Sequence, residues 1–402
     1  MPSHNRPVLR RPVVLAACLS VALGTVGYLA FDPGSASATV AEKAVPASAA
    51  RTGAGGANTA QVVKAANAFL ATLSDEQKET VLYDFDDDAK KTGWSNFPTG
   101  VVDRNGLKLG DLTDEQEAAA MKVMEAALSE HGYEELVEIR KADDYLASET
   151  DAASGGTRPS PTSTALPSGA PSGAPSGAPS GGPGGGAGGG ANFGSEWYYI
   201  SFFGRPSKTG EFMVQYGGHH AAYNITYAGD NVSLSPTLTG VEPTEFTVDG
   251  VDYTPLEDTR TTTMAAIQSL TDDELAAAEI DGSFDDLYLG PGNDGPFPEE
   301  PEGVLVSSLT KKQQAKVTAM LKTWVGDLDE KAAARLIAKY VSEYDETYIG
   351  WSGGTTIDNA QTYVRLDGPS AWVEFSNQPG ASTDEIHQHT IFRDETADYG
   401  WQ

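Results

Sequence analysis

Four of the chain's six histidines stand in two tight pairs. His219 and His220 lie in "GGHHAAYN", from Gly217 to Asn224, and His387 and His389 lie in "EIHQHTIFRD", about 170 residues downstream. Imidazole nitrogen is a good ligand for zinc and copper. Residues two apart on a β-strand point to one side, so His387 and His389 can address a single ion while Gln388 faces away. Adjacent residues face opposite sides, so one of His219 and His220 is expected to join them; His220 is the favoured one. The sequence therefore predicts a divalent transition metal, zinc or copper, held by His220, His387 and His389 with His219 close by. Paired histidines also occur as turn residues or sheet hydrogen-bonding partners, and it is the recurrence of the pair that favours a shared site.

Acidic neighbours are candidates for a fourth ligand or a general base. Glu374 in "WVEF" and Asp394 in "FRDET" are the two expected, and both equally fit a solvated face or an ion pair with Arg365 or Arg393. Arg393 could orient a substrate carboxylate through its forked donors. Other signatures fail. "DFDDD" (84–88) would need Gly and Glu at the sixth and twelfth loop positions for calcium, and Ala89 and Ser95 stand there. The Gly/Pro-rich stretch 290–303 is not followed by a Lys-Ser/Thr helix start, and neither G-x-S-x-G nor H-E-x-x-H occurs.

Composition narrows the chemistry further. Arg6, Arg10 and Arg11 precede an apolar run from Val13 to Phe31, and Ala36-Ser37-Ala38 fits a signal cleavage site, so residues 1–38 read as a signal peptide or an N-terminal anchor. Arg10-Arg11 resembles a twin-arginine export pair, so either Tat or Sec export fits. Cys18 is the only cysteine and lies inside this segment. A chain cleaved at Ala38 has no thiolate for disulfide, zinc or nucleophile. The net charge of −30 disfavours nucleic acid and anionic membranes. Membrane contact is then expected only through the N-terminal segment, and the ligand is expected to be a small molecule or peptide.

The elements that must position the histidines repeat. "LSDEQ", "LTDEQ", "LTDDE" and "LTKKQ" each place Ser or Thr three residues before Gln or Glu, which is a helix-starting capping box. Ser74 and Thr113 are 39 residues apart, as are Thr271 and Thr310. Amphipathic helical spacing follows each pair. Strand-like runs come next, "WYYISFFG" with "EFMVQYGGHH" and "TYVRLDG" with "SAWVEFSNQ". The expected fold is α+β with pseudo-duplicated halves, about 60–245 and 260–402. Each half is several helices followed by an antiparallel β-hairpin, and the hairpins pair in a central sheet. Residues 39–58 read as disordered, and 59–402 as one domain carrying a disordered Pro/Ser/Gly/Ala insertion at 152–193. The conventional alternative is a helical domain (60–150) tethered to a second domain from 193 onward.

Five blocks together, "WSNFP" (94–98), "GHHAAYN" (218–224), "SPTLTGVEP" (235–243), "SAWVEF" (370–375) and "HQHTIFRDETADYG" (387–400), resemble the bacterial family labelled domain of unknown function 3500. The resemblance implies that His219, His220, His387, His389, Arg393, Asp394, Asp398, Tyr399 and Gly400 belong to one recurring pattern. It assigns no activity. Gly217 stands where the pattern would carry an acid, and the Pro-Ser-Gly-Ala insertion is a further departure. The expected function is an exported, histidine-rich metal protein acting as a metal-dependent hydrolase or copper oxidoreductase. The alternative is a non-catalytic envelope protein that binds metal, peptide or glycan.

Overall fold

The computed structural model describes residues 57–153, 192–294, 296–380, 383 and 385–401. The expected export segment (1–38), most of the stretch 39–58 and most of the insertion 152–193 lie outside the described residues. In chain order the first part contains α1 (Thr59–Thr72), α2 (Asp75–Val81), β1 (Leu82–Tyr83), α3 (Ala89–Thr92), β2 (Leu107–Lys108), α4 (Asp114–Ala127) and α5 (Glu130–Ala153). Strands follow: β3 (Tyr199–Phe203), β4 (Glu211–Gly217), β5 (Ala221–Ala228), β6 (Asn231–Ser233), β7 (Thr237–Val241), β8 (Phe246–Val248) and β9 (Val251–Tyr253). Then come α6 (Glu257–Ile267), α7 (Asp272–Ala278), β10 (Val304–Leu305), α8 (Lys311–Val325) and α9 (Glu330–Ser342). The chain closes with β11 (Tyr348–Gly353), β12 (Thr362–Asp367), β13 (Ala371–Pro379) and β14 (Ile386–Asp394).

This is a mixed α+β architecture. All four capping boxes form, with Ser74, Thr113, Thr271 and Thr310 each accepting from the backbone N–H three residues on while the N3 side chain returns the bond. Twelve strands make one sheet in the order β1-β3-β4-β5-β7-β14-β13-β12-β11-β10, with β2 on β3 and β6 on β5. β1 runs parallel to β3. From β3 to β11 every neighbouring pair is antiparallel. The expected two-stranded hairpins are instead parts of two four-stranded runs, β3-β4-β5-β7 and β11-β12-β13-β14, which meet where β7 pairs with β14.

Alternation along β14 separates two layers. Thr390 accepts a hydrogen bond from the Trp324 indole of α8 at 2.9 Å, and Asp394 accepts one from the Tyr340 hydroxyl of α9 at 2.6 Å, so the even positions face helices. That layer belongs to a core shared by Val62, Phe69, Met124, Ile139, Tyr216, Trp324 and Phe392. Ile391, an odd position, packs in a second cluster with Phe203 and Leu238 of neighbouring strands and with Trp94, Leu287 and Tyr399 from loops. His387 and His389 share the parity of Ile391.

Candidate metal centre

Strand order brings the histidine pairs together. β5 and β14 both flank β7, and His219-His220 sits in the turn before β5 while His387 and His389 open β14. Gly240 of β7 lies between them: it is in register with His389, and its N–H donates to the His220 carbonyl at 2.7 Å. A Cβ on Gly240 would stand 2.8 Å from His389 Cδ2 and 3.0 Å from His220 Cδ2. Only glycine lets the two rings close over the strand. Arg104 ties the turn to the "WSNFP" loop, donating to the carbonyls of Gly218, Ser95 and Phe97.

The four imidazoles form a buried group, none more than 6 % exposed. His220 Nε2 and His387 Nε2 are 2.9 Å apart. His219, His220 and His387 each offer a ligand atom within 4.8 Å of the others, so this triad could hold a metal ion. The His389 ring centroid lies 4.3 Å from that of His387 and 5.9 Å from that of His220. His389 Nε2 and His219 Nδ1 are buried without a hydrogen-bond partner among the described residues. Phe193 closes edge-on against His219 at 5.1 Å.

Each of three histidines has a carboxylate at its other nitrogen. Asp143 Oδ1 is 2.6 Å from His220 Nδ1, and Asp143 Oδ2 accepts from the Tyr198 hydroxyl at 2.7 Å. Glu242 Oε2 is 3.6 Å from His387 Nδ1, while Oε1 accepts from the Thr383 N–H and hydroxyl. Asp286 Oδ1 is 2.9 Å from His389 Nδ1, with Asn96 on its second oxygen. The amides of Gln378 and Asn96 flank the same His389 nitrogen at 2.9 and 3.3 Å.

Burial, then the neighbouring imidazoles, hold His219, His220 and His387 well below the usual histidine range. They are neutral at pH 7, the form a metal requires, with no ligand proton to displace. Burial pushes the Asp143 carboxyl up, opposed by His219 and the Tyr198 bond. Asp286 is held down: burial works against it, but His389, the Leu287 N–H and Asn96 outweigh that. A tetrahedral ion with bonds of about 2.0–2.1 Å sets its nitrogens roughly 3.3 Å apart, so the observed 2.9 Å needs only a small opening.

The three other expected site residues lie elsewhere. Glu374 accepts from the Trp372 indole (2.6 Å), the Leu289 N–H (2.8 Å), the Tyr363 hydroxyl (2.9 Å) and the Tyr288 N–H, which fills its lone pairs and makes it the anchor of the 286–290 loop. Arg393 is engaged by Asp294, Asp398 and the Leu289 carbonyl. Asp394 points to the helical layer, bound by Tyr340 and Lys339 (3.2 Å). At about 3.3 Å per residue it lies some 23 Å along β14 from His387. None of the three joins the histidines: strand alternation turns Asp394 to the helical layer, while Glu374 and Arg393, on the histidines' side of the sheet, are held by their own partners.

Sequence reasoning missed Asp143, Glu242 and Asp286. Two were findable in part. Asp143 sits with the buried Leu136, Ile139 and Leu146 on one face of α5, an acid in an apolar stripe. Glu242 closes the "SPTLTGVEP" block already singled out. Nothing local marks Asp286.

A family model described as a protein of unknown function (DUF3500) matches residues 55–401, nearly the whole chain. The chain belongs to this family. The match includes all four clustered histidines and the three carboxylates behind them, so the centre lies within the shared domain of the DUF3500 family. No curated protein and no solved structure matches the chain.

Proposed function

We propose that this is an exported protein whose histidine cluster binds a divalent transition metal, zinc or copper, and that the centre serves a metal-dependent enzyme acting on a small-molecule or peptide substrate. One observation carries the reading: two Nε2 atoms face each other at 2.9 Å while a carboxylate lies at each opposite Nδ1. With His220 Nδ1 protonated toward Asp143, its Nε2 is a lone pair, and a cation can sit where a proton on His387 Nε2 would otherwise join the two rings. Zinc would supply water activation for hydrolysis, and copper would supply electron transfer. This chain's residues hold and orient the rings and exclude water. Export is supported by the basic-then-apolar start of the sequence and by the absence of cysteine beyond it. Metal binding without turnover is the second reading, favoured by the near-complete burial of all four rings.

Elemental analysis of the exported protein tests the proposal. One zinc or copper per chain is expected, and its loss in the His387→Ala/His389→Ala variant. A wild type free of metal, whose thermal midpoint ignores added zinc and copper, removes the centre.

We further propose that the fold is an internal duplication. Gln116 Nε2 donates to the Thr72 carbonyl and to Gln77, both at 3.0 Å, and Gln313 Nε2 repeats this with the Ser269 carbonyl at 3.0 Å and Glu274 at 2.6 Å. Leu107 pairs with Ile200 as Val304 pairs with Ile349. The sheet order reads alike from both ends toward β7 and β14. On this correspondence β3 matches β11, so the expected matching of β3-β4 with β12-β13 slips by one strand. The histidine pairs are then not copies. Gly240 N–H to His220 carbonyl repeats as Glu395 N–H to Ser370 carbonyl, which aligns His220 with Ser370, and the same register aligns His389 with Leu234. The pairs meet because β5 and β14 flank one strand, not because the unit recurs.

A further inference from the structure

We propose that Asp143, Glu242 and Asp286 are positioning residues for a divalent cation, one behind each of His220, His387 and His389; the inference rests on the metal reading above. The carboxylates come from three separate places: helix α5, the residue after β7, and the loop following α7. Each nevertheless ends at an Nδ1 atom, at 2.6, 3.6 and 2.9 Å respectively. An ionised carboxylate oxygen only accepts, so the 2.6 Å contact makes His220 Nδ1 the protonated nitrogen and leaves its Nε2 with the lone pair, whereas Glu242 stands beyond hydrogen-bond reach of His387 and Asp286 shares His389 Nδ1 with the Gln378 and Asn96 amides. His220 is thereby fixed both in tautomer and in rotation, with Nε2 as its ligand atom, and the acids behind His387 and His389 act on the orientation of their rings.

The carboxylates are themselves held. Asp143 is gripped by the Tyr198 hydroxyl, Glu242 by the Thr383 N–H and hydroxyl, and Asp286 by the Leu287 N–H and Asn96. A metal site needs this outer support to hold its ligands within reach of one ion. The unpartnered His389 Nε2 fits the scheme, since its opposite nitrogen is secured while the ligand atom is left without a donor. His219 differs. Its Nδ1 has no hydrogen-bond partner among the described residues, so nothing selects its tautomer. His219 is nevertheless one of the three histidines whose ligand atoms lie within 4.8 Å of one another, so the acids support two members of that triad, His220 and His387, together with the adjoining His389.

The test measures Zn(II) affinity of the full chain by competition with a chromophoric chelator, together with the visible spectrum of the Co(II)-loaded protein. Asp143→Asn, Glu242→Gln and Asp286→Asn are each expected to weaken Zn(II) binding about 10–100-fold and to alter the Co(II) spectrum. Metal-free thermal midpoints separate loss of fold from loss of positioning. Asp286 is the most exposed of the three, so Asp286→Asn keeps the test open where a buried variant fails to fold. If the wild type binds one Zn(II) per chain and the folded variants bind it as tightly with unchanged spectra, the positioning roles are wrong and the metal centre stands. A wild type that binds neither Zn(II) nor Co(II) overturns both.

Discussion

Gly240 is the residue on which convergence turns. Its missing side chain leaves the space where His220 and His389 approach across β7. In Gly240→Ala the new carbon would also sit 2.8 Å from the Gln388 carbonyl, backbone that cannot swing aside. Overpacking of this kind costs about 1–3 kcal/mol, and the displaced rings no longer share an ion. Metal analysis and thermal melting should show both losses; a variant melting and loading like wild type would show that the rings do not depend on this gap. Glu374→Gln separates anchoring from chemistry. An amide cannot accept from all four donors that surround the carboxylate, so about 1–3 kcal/mol of stability should go while metal content per folded chain stays unchanged. Loss of metal in that variant would return Glu374 to the site. The histidines were legible because imidazole is rare here and two residues apart on a strand means one face. The carboxylates were not, because Asp143 and Asp286 reach the cluster through folding of the chain far from any histidine motif.

At the scale of elements, the helix starts were readable because a capping box is a local device. The strands were harder: "YIGWSG" (348–353) ends in glycine and carries no clean alternation, so β11 was missed. How helices meet was not legible at all. α5 packs its Gly132 against Asp327 in the turn between α8 and α9, where a Cβ would lie 2.8 Å from Asp327 Oδ1. The Ser129 N–H donates to the Asp327 carbonyl at 2.7 Å. Asp327 and Glu135 are buried in this junction, and burial followed by their mutual repulsion raises Glu135, while burial pushes Asp327 up to about 8. The folded state keeps a proton that the unfolded chain has already released above about pH 4. The stabilising contribution is therefore complete in acid and is lost as pH rises through about 8. Asp327→Asn, the same shape without the charge, should melt higher than wild type at pH 8–9, by about 2 °C for each kcal/mol recovered, and the gap should narrow toward pH 6.5. His219, His220 and His387, held well below the ordinary histidine range, are neutral in the fold across that window, so they do not mask the effect. A gap independent of pH would show that Asp327 does not keep its proton in the folded state.

The whole molecule joins the two sides of the Pro-Ser-Gly-Ala stretch through one interior. Val62 and Phe69 of α1, Met124 of α4 and Ile139 of α5 share a core with Tyr216, Tyr227, Trp324, Leu336 and Phe392. Backbone bonds cross as well: β1 and β2 both pair with β3, and the Thr59 hydroxyl donates to the Gly229 carbonyl at 2.7 Å. Composition alone favoured the opposite reading, since a long Gly/Pro tract usually separates domains. The side-chain packing between the two sides is something that no local pattern in the sequence encodes. The consequence can be measured by placing a single protease site within the repeat at 167–180 and cutting it after folding. α1, α4 and α5 share one buried core with the strands, α8 and α9, so the pieces should stay associated. They should elute together at the size of the uncut chain and unfold in one transition, separating only in denaturant. Release of a free helical fragment from 57–153 under native conditions would mean the shared core contributes too little to hold it. It would also take Asp143 away from His220, so metal content after cutting reads the same contact from the site's side.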